Sequence, residues 1–370
     1  MHLRRRQQVT AVGVAVVATA LSLAACSSSS SSPAAASTSS SPAASATSSS
    51  AAALSGTLDG SGSTFQTVFQ QSAISAFKSV QPGITVNYGS GGSGKGRTDL
   101  ASGVVNYAGS DSPIPAAEVA NFKGKTVLYF PVLIGPISMA YNLPGLSKTL
   151  QLTPTVIANI FQGKITTWNN PAITAINPGV SMPCTAVTIA VRSDSSGTTQ
   201  NFSLFLMKAV PSVWTLGSSS TIKWPAAARA GAGNAGVAQI VKSTPGAIGY
   251  VDYADAKATG LTSASVQNKN GAYVAPSSAS ASAAAAGVTL APDLTFHAVW
   301  GTGATAYPIT YQSWVLVYQT QPNANDEGML KAYIGYLLGA GQQLLTGLGY
   351  APLPASIDSA ATAQLSKIGM

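Results

Sequence analysis

Charge is scarce in this chain. Asp, Glu, Lys and Arg make up 8% of its 370 residues, against about 25% in an ordinary globular protein. Basic residues outnumber acidic ones, 19 to 11, but they are scattered rather than clustered, so no nucleic-acid footprint is present. Histidine and cysteine occur twice each. One histidine is His2, and a single internal His297 with few thiols cannot furnish a Cys/His zinc site. No metal and no cofactor are therefore expected. No G-x-S-x-G surrounds Ser61, Ser63, Ser93 or Ser196, which removes the usual frame of a serine hydrolase. Beyond the first residues no apolar run is long enough to span a bilayer.

What is present starts at the N-terminus. Arg4, Arg5 and Arg6 precede an apolar run from Val9 to Leu23, the pattern of a secretory signal peptide. That run is shorter than the roughly 20 residues a spanning helix needs. Leu23-Ala24-Ala25-Cys26 resembles the lipobox of bacterial lipoproteins, which implies cleavage after residue 25 and lipidation of Cys26. Cys184 is then left without a partner, and is expected to be a buried small apolar side chain. Residues 26–53 are almost entirely Ser, Ala, Thr and Pro and cannot bury a core, so they read as a disordered tether.

From Leu54 onward the pattern alternates in an α/β manner. Strands are expected at Ile84–Tyr88, Val127–Gly135, Val187–Val191 and Ser313–Tyr318, and helices at Phe65–Val80, Pro154–Phe161, Thr199–Ala209 and Leu330–Leu338. The Ala/Ser-rich stretch Ala275–Val288 follows a turn signal at Asn270-Gly271 and is expected to be a helix rather than a linker. The alternation in "LTFHAVW" places His297 on a strand.

Three loops stand out: "DGSGSTFQ" (Asp59–Gln66), "YGSGGSGKGRTDL" (Tyr88–Leu100) and "RSDSSGTTQNF" (Arg192–Phe202). Each is a run of small and hydroxyl residues feeding a helix N-terminus, where unpaired N–H groups and a partial positive charge favour anions. Ordinary N-capping by Ser and Thr would explain any one of them. Three, with an arginine and an acid in a charge-poor chain, point to an anion site. The G-x-x-x-x-G-K of Gly89–Lys95 is a near miss for a nucleotide-binding loop, because Gly96 stands where Ser or Thr should hold Mg²⁺.

These segments, with "YAGSDSPI", "FPVLIGPI", "IFQGKITTWNNPAI", "IKWP", "PGAIGYVDYADA", "YPIT" and "GYAPLP", resemble the phosphate-binding proteins of phosphate ABC transporters. The resemblance implies an α/β fold of two lobes joined by hinge strands, with lobe I at 54–133 and 307–370 and lobe II at 134–306. It implies a ligand, inorganic phosphate, held by Thr64, Phe65, Ser93, Asp111, Arg192, Ser196, Gly197 and Thr198, with Asp194 supporting Arg192. It further implies an exported, lipid-anchored monomer that is not an enzyme and hands phosphate to a membrane permease. The alternative carried beside it is an exported phosphohydrolase using the same anion cage. Lys95 and Cys184 depart from the pattern without removing a ligand group.

Overall fold

The computed structural model describes residues 53–146 and 148–370. The expectations for the signal segment, for Cys26 and for the tether through residue 52 lie outside the described residues. No helix among the described residues is long and apolar enough to cross a membrane.

The chain opens with β1 (Gly56–Gly62) and β2 (Ile84–Ser90), paired in parallel. Between them α1 (Thr67–Val80) buries Phe69, Ala73 and Phe77, one stripe at helical spacing. A single 3₁₀ turn, Thr64–Gln66, precedes α1, so the helix expected from Phe65 begins slightly later. Next come α2 (Ser93–Ala101) and β3 (Tyr107–Ser110), which lies parallel to β1 on its other side. β4 (Val127–Tyr141) is the spine of the fold, and its fifteen residues are buried except Val127. An unbroken apolar run of this kind marks a strand covered on both faces.

Beyond the spine lie β5 (Gln151–Leu152), α3 (Pro154–Phe161), α4 (Pro171–Thr174) and β6 (Thr188–Arg192). Then come α5 (Gly197–Ala209), β7 (Arg229–Gly231), α6 (Gly233–Ser243), β8 (Ala247–Asp252) and α7 (Tyr253–Thr259). Short strands follow at β9 (Thr262–Ser263), β10 (Ser265–Gln267) and β11 (Tyr273–Val274). Helix α8 (Ser278–Ala285) occupies the Ala/Ser-rich stretch as expected, and a capping box between Ser277 and Ser280 starts it. The chain closes with β12 (Thr310–Tyr318), α9 (Ala324–Leu338), α10 (Gln342–Leu348) and α11 (Ala355–Gln364).

The main sheet is mixed, in the order β2-β1-β3-β12-β4-β8-β6-β7. β4 joins its two halves: Val127–Pro136 pairs antiparallel with β12, and Ile137–Tyr141 pairs antiparallel with β8. The register of β4 against β12 shifts beside Pro131, where a residue without an N–H is tolerated. The two halves close on one another, so that the described residues form one unit. This is the expected α/β architecture with mixed sheets and flanking helices.

Two local expectations fail. Phe296 and Ala298 are buried and His297 is exposed, but the segment is a loop with no partner strand. Alternation here reflects a loop lying on the core, not a ladder. Cys184 is exposed, not buried, because the loop at 181–185 crosses the surface and turns Met182, not the thiol, onto the core.

Candidate anion-binding site

The three loops converge between the two halves of the sheet. In the first, the Ser63 hydroxyl caps the 3₁₀ turn by accepting the Phe65 N–H at 3.1 Å. This leaves the Thr64 N–H, at the first turn position, without an acceptor among the described residues. The Phe65 ring explains why the turn is fixed: it stacks on Tyr311 with centroids 4.0 Å apart and meets Tyr350 edge-on at 5.2 Å. The Tyr350 hydroxyl also donates to the Phe65 carbonyl at 2.7 Å. Phe65 thus serves the site through its anchored ring, and its own N–H is already committed.

The second loop supplies Ser93 at the first position of α2. Its hydroxyl accepts the Asp111 N–H at 3.1 Å and lies 3.2 Å from Asp111 Oδ2. Lys95 points away, forming an exposed pair with Asp99 at 2.6 Å. The extra lysine of the glycine loop is therefore no part of the cleft.

The third loop follows β6. Arg192 is buried, and its guanidinium forks onto Asp194, Nε to Oδ1 at 2.9 Å and Nη2 to Oδ2 at 2.5 Å. Burial pushes the Asp194 carboxyl up, but the Arg192 fork and the Gly233 N–H outweigh it and hold the group below its ordinary value. Arg192 Nη1 reaches the Thr198 hydroxyl at 3.2 Å. The Ser196 side chain caps α5 by accepting the Thr199 N–H at 3.1 Å. The Gly197 and Thr198 N–H groups are left at the helix start without an acceptor among the described residues.

Asp111 faces these donors. Its Oδ1 accepts from the hydroxyls of Ser63 and Ser313, each at 2.5 Å. Two donors fill the lone pairs of Oδ1, so Oδ2 keeps accepting capacity beyond Ser93. Oδ2 points at α5: a Cβ built on Gly197 would sit 2.6 Å from it and 2.4 Å from the Ser93 hydroxyl. Only glycine permits this approach of the helix start to the carboxylate. Burial raises the Asp111 carboxyl above its usual range, opposed by the three serine hydroxyls and by Arg192.

The mouth of this region is a cleft of about 250 Å³ lined by Thr64, Asp194, Gly233, Asn234 and Asp255 among others. A larger cavity of about 730 Å³ lies at the start of β4 and the end of β12, beside Lys125 and Tyr318, and holds none of these groups. The structure thus brings Thr64, Ser93, Asp111, Arg192, Asp194, Ser196, Gly197 and Thr198 together. His297 lies elsewhere, on a surface hollow beside Ser112 and Glu118. Among the described residues no group of three or more His, Cys, Asp or Glu is placed to hold a metal.

Sequence reasoning missed four polar residues. Ser63 stood next to Thr64 in the first loop and was not singled out. Ser313 read as a strand residue, yet it braces Asp111. Asn201 donates to the Asp111 carbonyl at 2.7 Å from the first turns of α5, and Asn234 reaches Thr64 from α6 at 3.1 Å. Nothing local in the sequence marks the last three, because their partners lie 90 to 202 residues away.

A family model described as a PBP superfamily domain matches residues 38–340. Among relatives, a protein of Pasteurella multocida (strain Pm70) named phosphate-binding protein PstS is 34% identical over 313 residues, covering 83% of this chain and 89% of the relative. The chain belongs to the PstS family of phosphate-binding proteins. A second PstS relative, phosphate-binding protein PstS 3 of Mycobacterium leprae (strain TN), is also 34% identical, over 82% of this chain and 84% of its own. Solved structures show the same fold. A high affinity periplasmic phosphate-binding protein bound with phosphate superposes with a TM-score of 0.69 at 22% identity, covering 84% of this chain and 94% of that one. The phosphate-binding protein from Stenotrophomonas maltophilia gives 0.68 at 19% identity, covering 83% of this chain and 93% of that one. The chain thus shares the two-lobed fold of these phosphate-binding proteins.

Proposed function

We propose that this protein captures inorganic phosphate in the cleft between its two halves. The observation that carries the reading is the pairing of opposites there: free N–H donors of α5 and the buried Arg192 face a buried carboxylate, Asp111. A buried oxyanion needs its lone pairs satisfied, since unpaired charge costs several kcal/mol. Neutral N–H and O–H groups with one arginine meet that need. Asp111 suits an anion that still carries a proton, and phosphate at neutral pH carries one. Thr64, Ser93, Arg192, Ser196, Gly197 and Thr198 are read as donors, and Asp194 holds the guanidinium in place. Phe65 is retained as a positioning residue through its ring.

Family membership supports a transport role. The captured phosphate is delivered to a membrane permease of an ABC transporter, and the protein is not an enzyme. The lobes are taken as 54–133 with 307–370, and 134–306, with the crossings in β4 and just before β12. The chain is taken to be exported and monomeric, tethered through residues 26–53 to a lipid on Cys26 at the outer face of the cytoplasmic membrane. Titration calorimetry of the soluble protein with phosphate, beside an assay for phosphoester turnover, tests this. Saturable one-to-one phosphate binding without turnover is expected. Turnover, or no phosphate binding, would overturn it.

A further inference from the structure

We propose that Asn234, at the start of α6, is a positioning residue that sets the direction of two hydroxyl donors in the phosphate site. The inference rests on the phosphate reading and deepens it. Asn234 is fully buried. Its Nδ2 donates to Thr64 Oγ1 at 3.1 Å and to Thr198 Oγ1 at 3.4 Å. Its Oδ1 accepts the backbone N–H of Asp252 at 3.3 Å. A backbone N–H can only donate, so it fixes which end of the amide faces it and turns the NH₂ toward the two threonines.

The consequence concerns protons. Thr64 Oγ1 accepts from the Asn234 amide and lies 3.4 Å from the Asn234 backbone N–H. Thr198 Oγ1 accepts from Asn234 and from Arg192 Nη1, and the Tyr311 hydroxyl lies at 3.5 Å, the outer limit of a hydrogen bond and a weaker claim on the Thr198 proton than a bound anion would make. Each oxygen is occupied as an acceptor, so its own hydrogen is the group left to give. A hydroxyl free to rotate would offer an anion either a proton or a lone pair. These two offer protons, and the cost of orienting them is met before the ligand arrives.

Asn234 also joins the two halves. Thr64 follows β1 and Thr198 opens α5, so one amide touches both sides only when they are closed. Gly233, just before it, presses the same turn: a Cβ there would lie 3.2 Å from the Thr64 methyl.

The test uses Asn234→Ala and Asn234→Asp in the full mature chain, with phosphate affinity measured against the wild type at neutral pH and at about pH 5. Thermal unfolding first establishes that each variant is folded at the assay temperature. At neutral pH both variants are expected to bind phosphate about tenfold or more weakly, since two donors lose their orientation. At the lower pH the aspartate variant is expected to recover part of its deficit: full burial of the position lifts a carboxyl above its ordinary value, and the protonated form again offers an O–H, while the alanine variant does not. Alanine within about twofold of wild type, a difference too small for one hydrogen bond, would overturn the proposal. So would equal deficits for both variants at both pH values. If the wild type itself fails to bind phosphate, the functional reading beneath falls and this inference with it.

Discussion

At the scale of single residues, two buried aspartates matter most and do different things. Asp111 keeps one oxygen turned toward the helix start of α5. Phosphate at neutral pH can donate a proton to it and sulfate cannot, so sulfate meets an uncompensated carboxylate. Sulfate is therefore expected to compete poorly even in large excess. Asp111→Asn, which offers a donor as well as an acceptor, is expected to raise sulfate binding relative to phosphate. Competition calorimetry on both forms decides it, and an unchanged ratio would remove Asp111 from the selectivity device. Asp252 is a question of stability. Burial, and then Asp255, hold its carboxyl well above the usual range, and one oxygen has no partner. Between the ordinary carboxylate value near ~4 and its own raised value, the folded state keeps a proton that the unfolded state has lost. Stability therefore falls as pH rises through that window. Asp252→Asn cannot ionise, so it is expected to raise the neutral-pH melting temperature by about 2 °C or more, a gain that vanishes near ~pH 4. A variant that melts no higher than wild type at neutral pH would contradict this.

At the scale of elements, the N-terminus of α5 is where the site is most constrained. Its cap, Ser196, spends its oxygen on the Thr199 N–H and so leaves the two preceding N–H groups to the cleft. Its first residue, Gly197, touches Ser93 and Asp111 from the other half of the molecule. Gly197→Ala would put a methyl where these atoms already are, 2.4 and 2.6 Å away. Overpacking of this kind costs roughly 1–3 kcal/mol. The contact spans the two halves, so the cost is expected to fall on closure and on phosphate affinity, by tenfold or more on that scale. Unfolding without phosphate should change little by comparison. Wild-type affinity in this variant would show that the helix start does not approach Asp111 in solution.

At the scale of the whole molecule, closure is held by bonds from one half to the other. The Gly94 N–H donates to the Ser195 carbonyl at 3.0 Å, and Asn201 donates to the Asp111 carbonyl at 2.7 Å. These join the glycine loop and the Asp111 loop to α5, so closing the molecule and completing the cage are one event. The proposed tether is expected to take no part in that event. Deleting residues 26–53 with the signal segment is expected to leave phosphate affinity and melting temperature unchanged, because that composition has no core-forming pattern. Calorimetry and thermal unfolding of the shortened protein check it, and a clear loss in either would mean that the segment packs on the body.

The linear order of residues determined a good deal by itself. Apolar runs and helical spacing were enough to place β2, β6, β12, α3 and α5 to within about three residues and to find the start of β4, whose run continues six residues past the expected end at Gly135. Charge scarcity made Arg192 and Asp194 conspicuous, and their separation of two residues lets one side chain fork onto the other locally. The three helix starts that carry Thr64, Ser93, Ser196 and Gly197 were legible for the same reason, being written in consecutive residues, while only the family resemblance singled out the residues within them. Ser313, Asn201 and Asn234 were not. Each acts on a partner brought near only when the sheet closes, and a buried hydrogen bond leaves no periodic trace in either segment. Cys184 erred because burial belongs to the surroundings and not to the residue, and the strand expected at His297 erred because a loop lying on the core alternates in burial as a strand does. Local chemistry is set by neighbours in the chain, whereas solvation and cross-half contacts are set by what the fold brings alongside, and only the tertiary structure decides that.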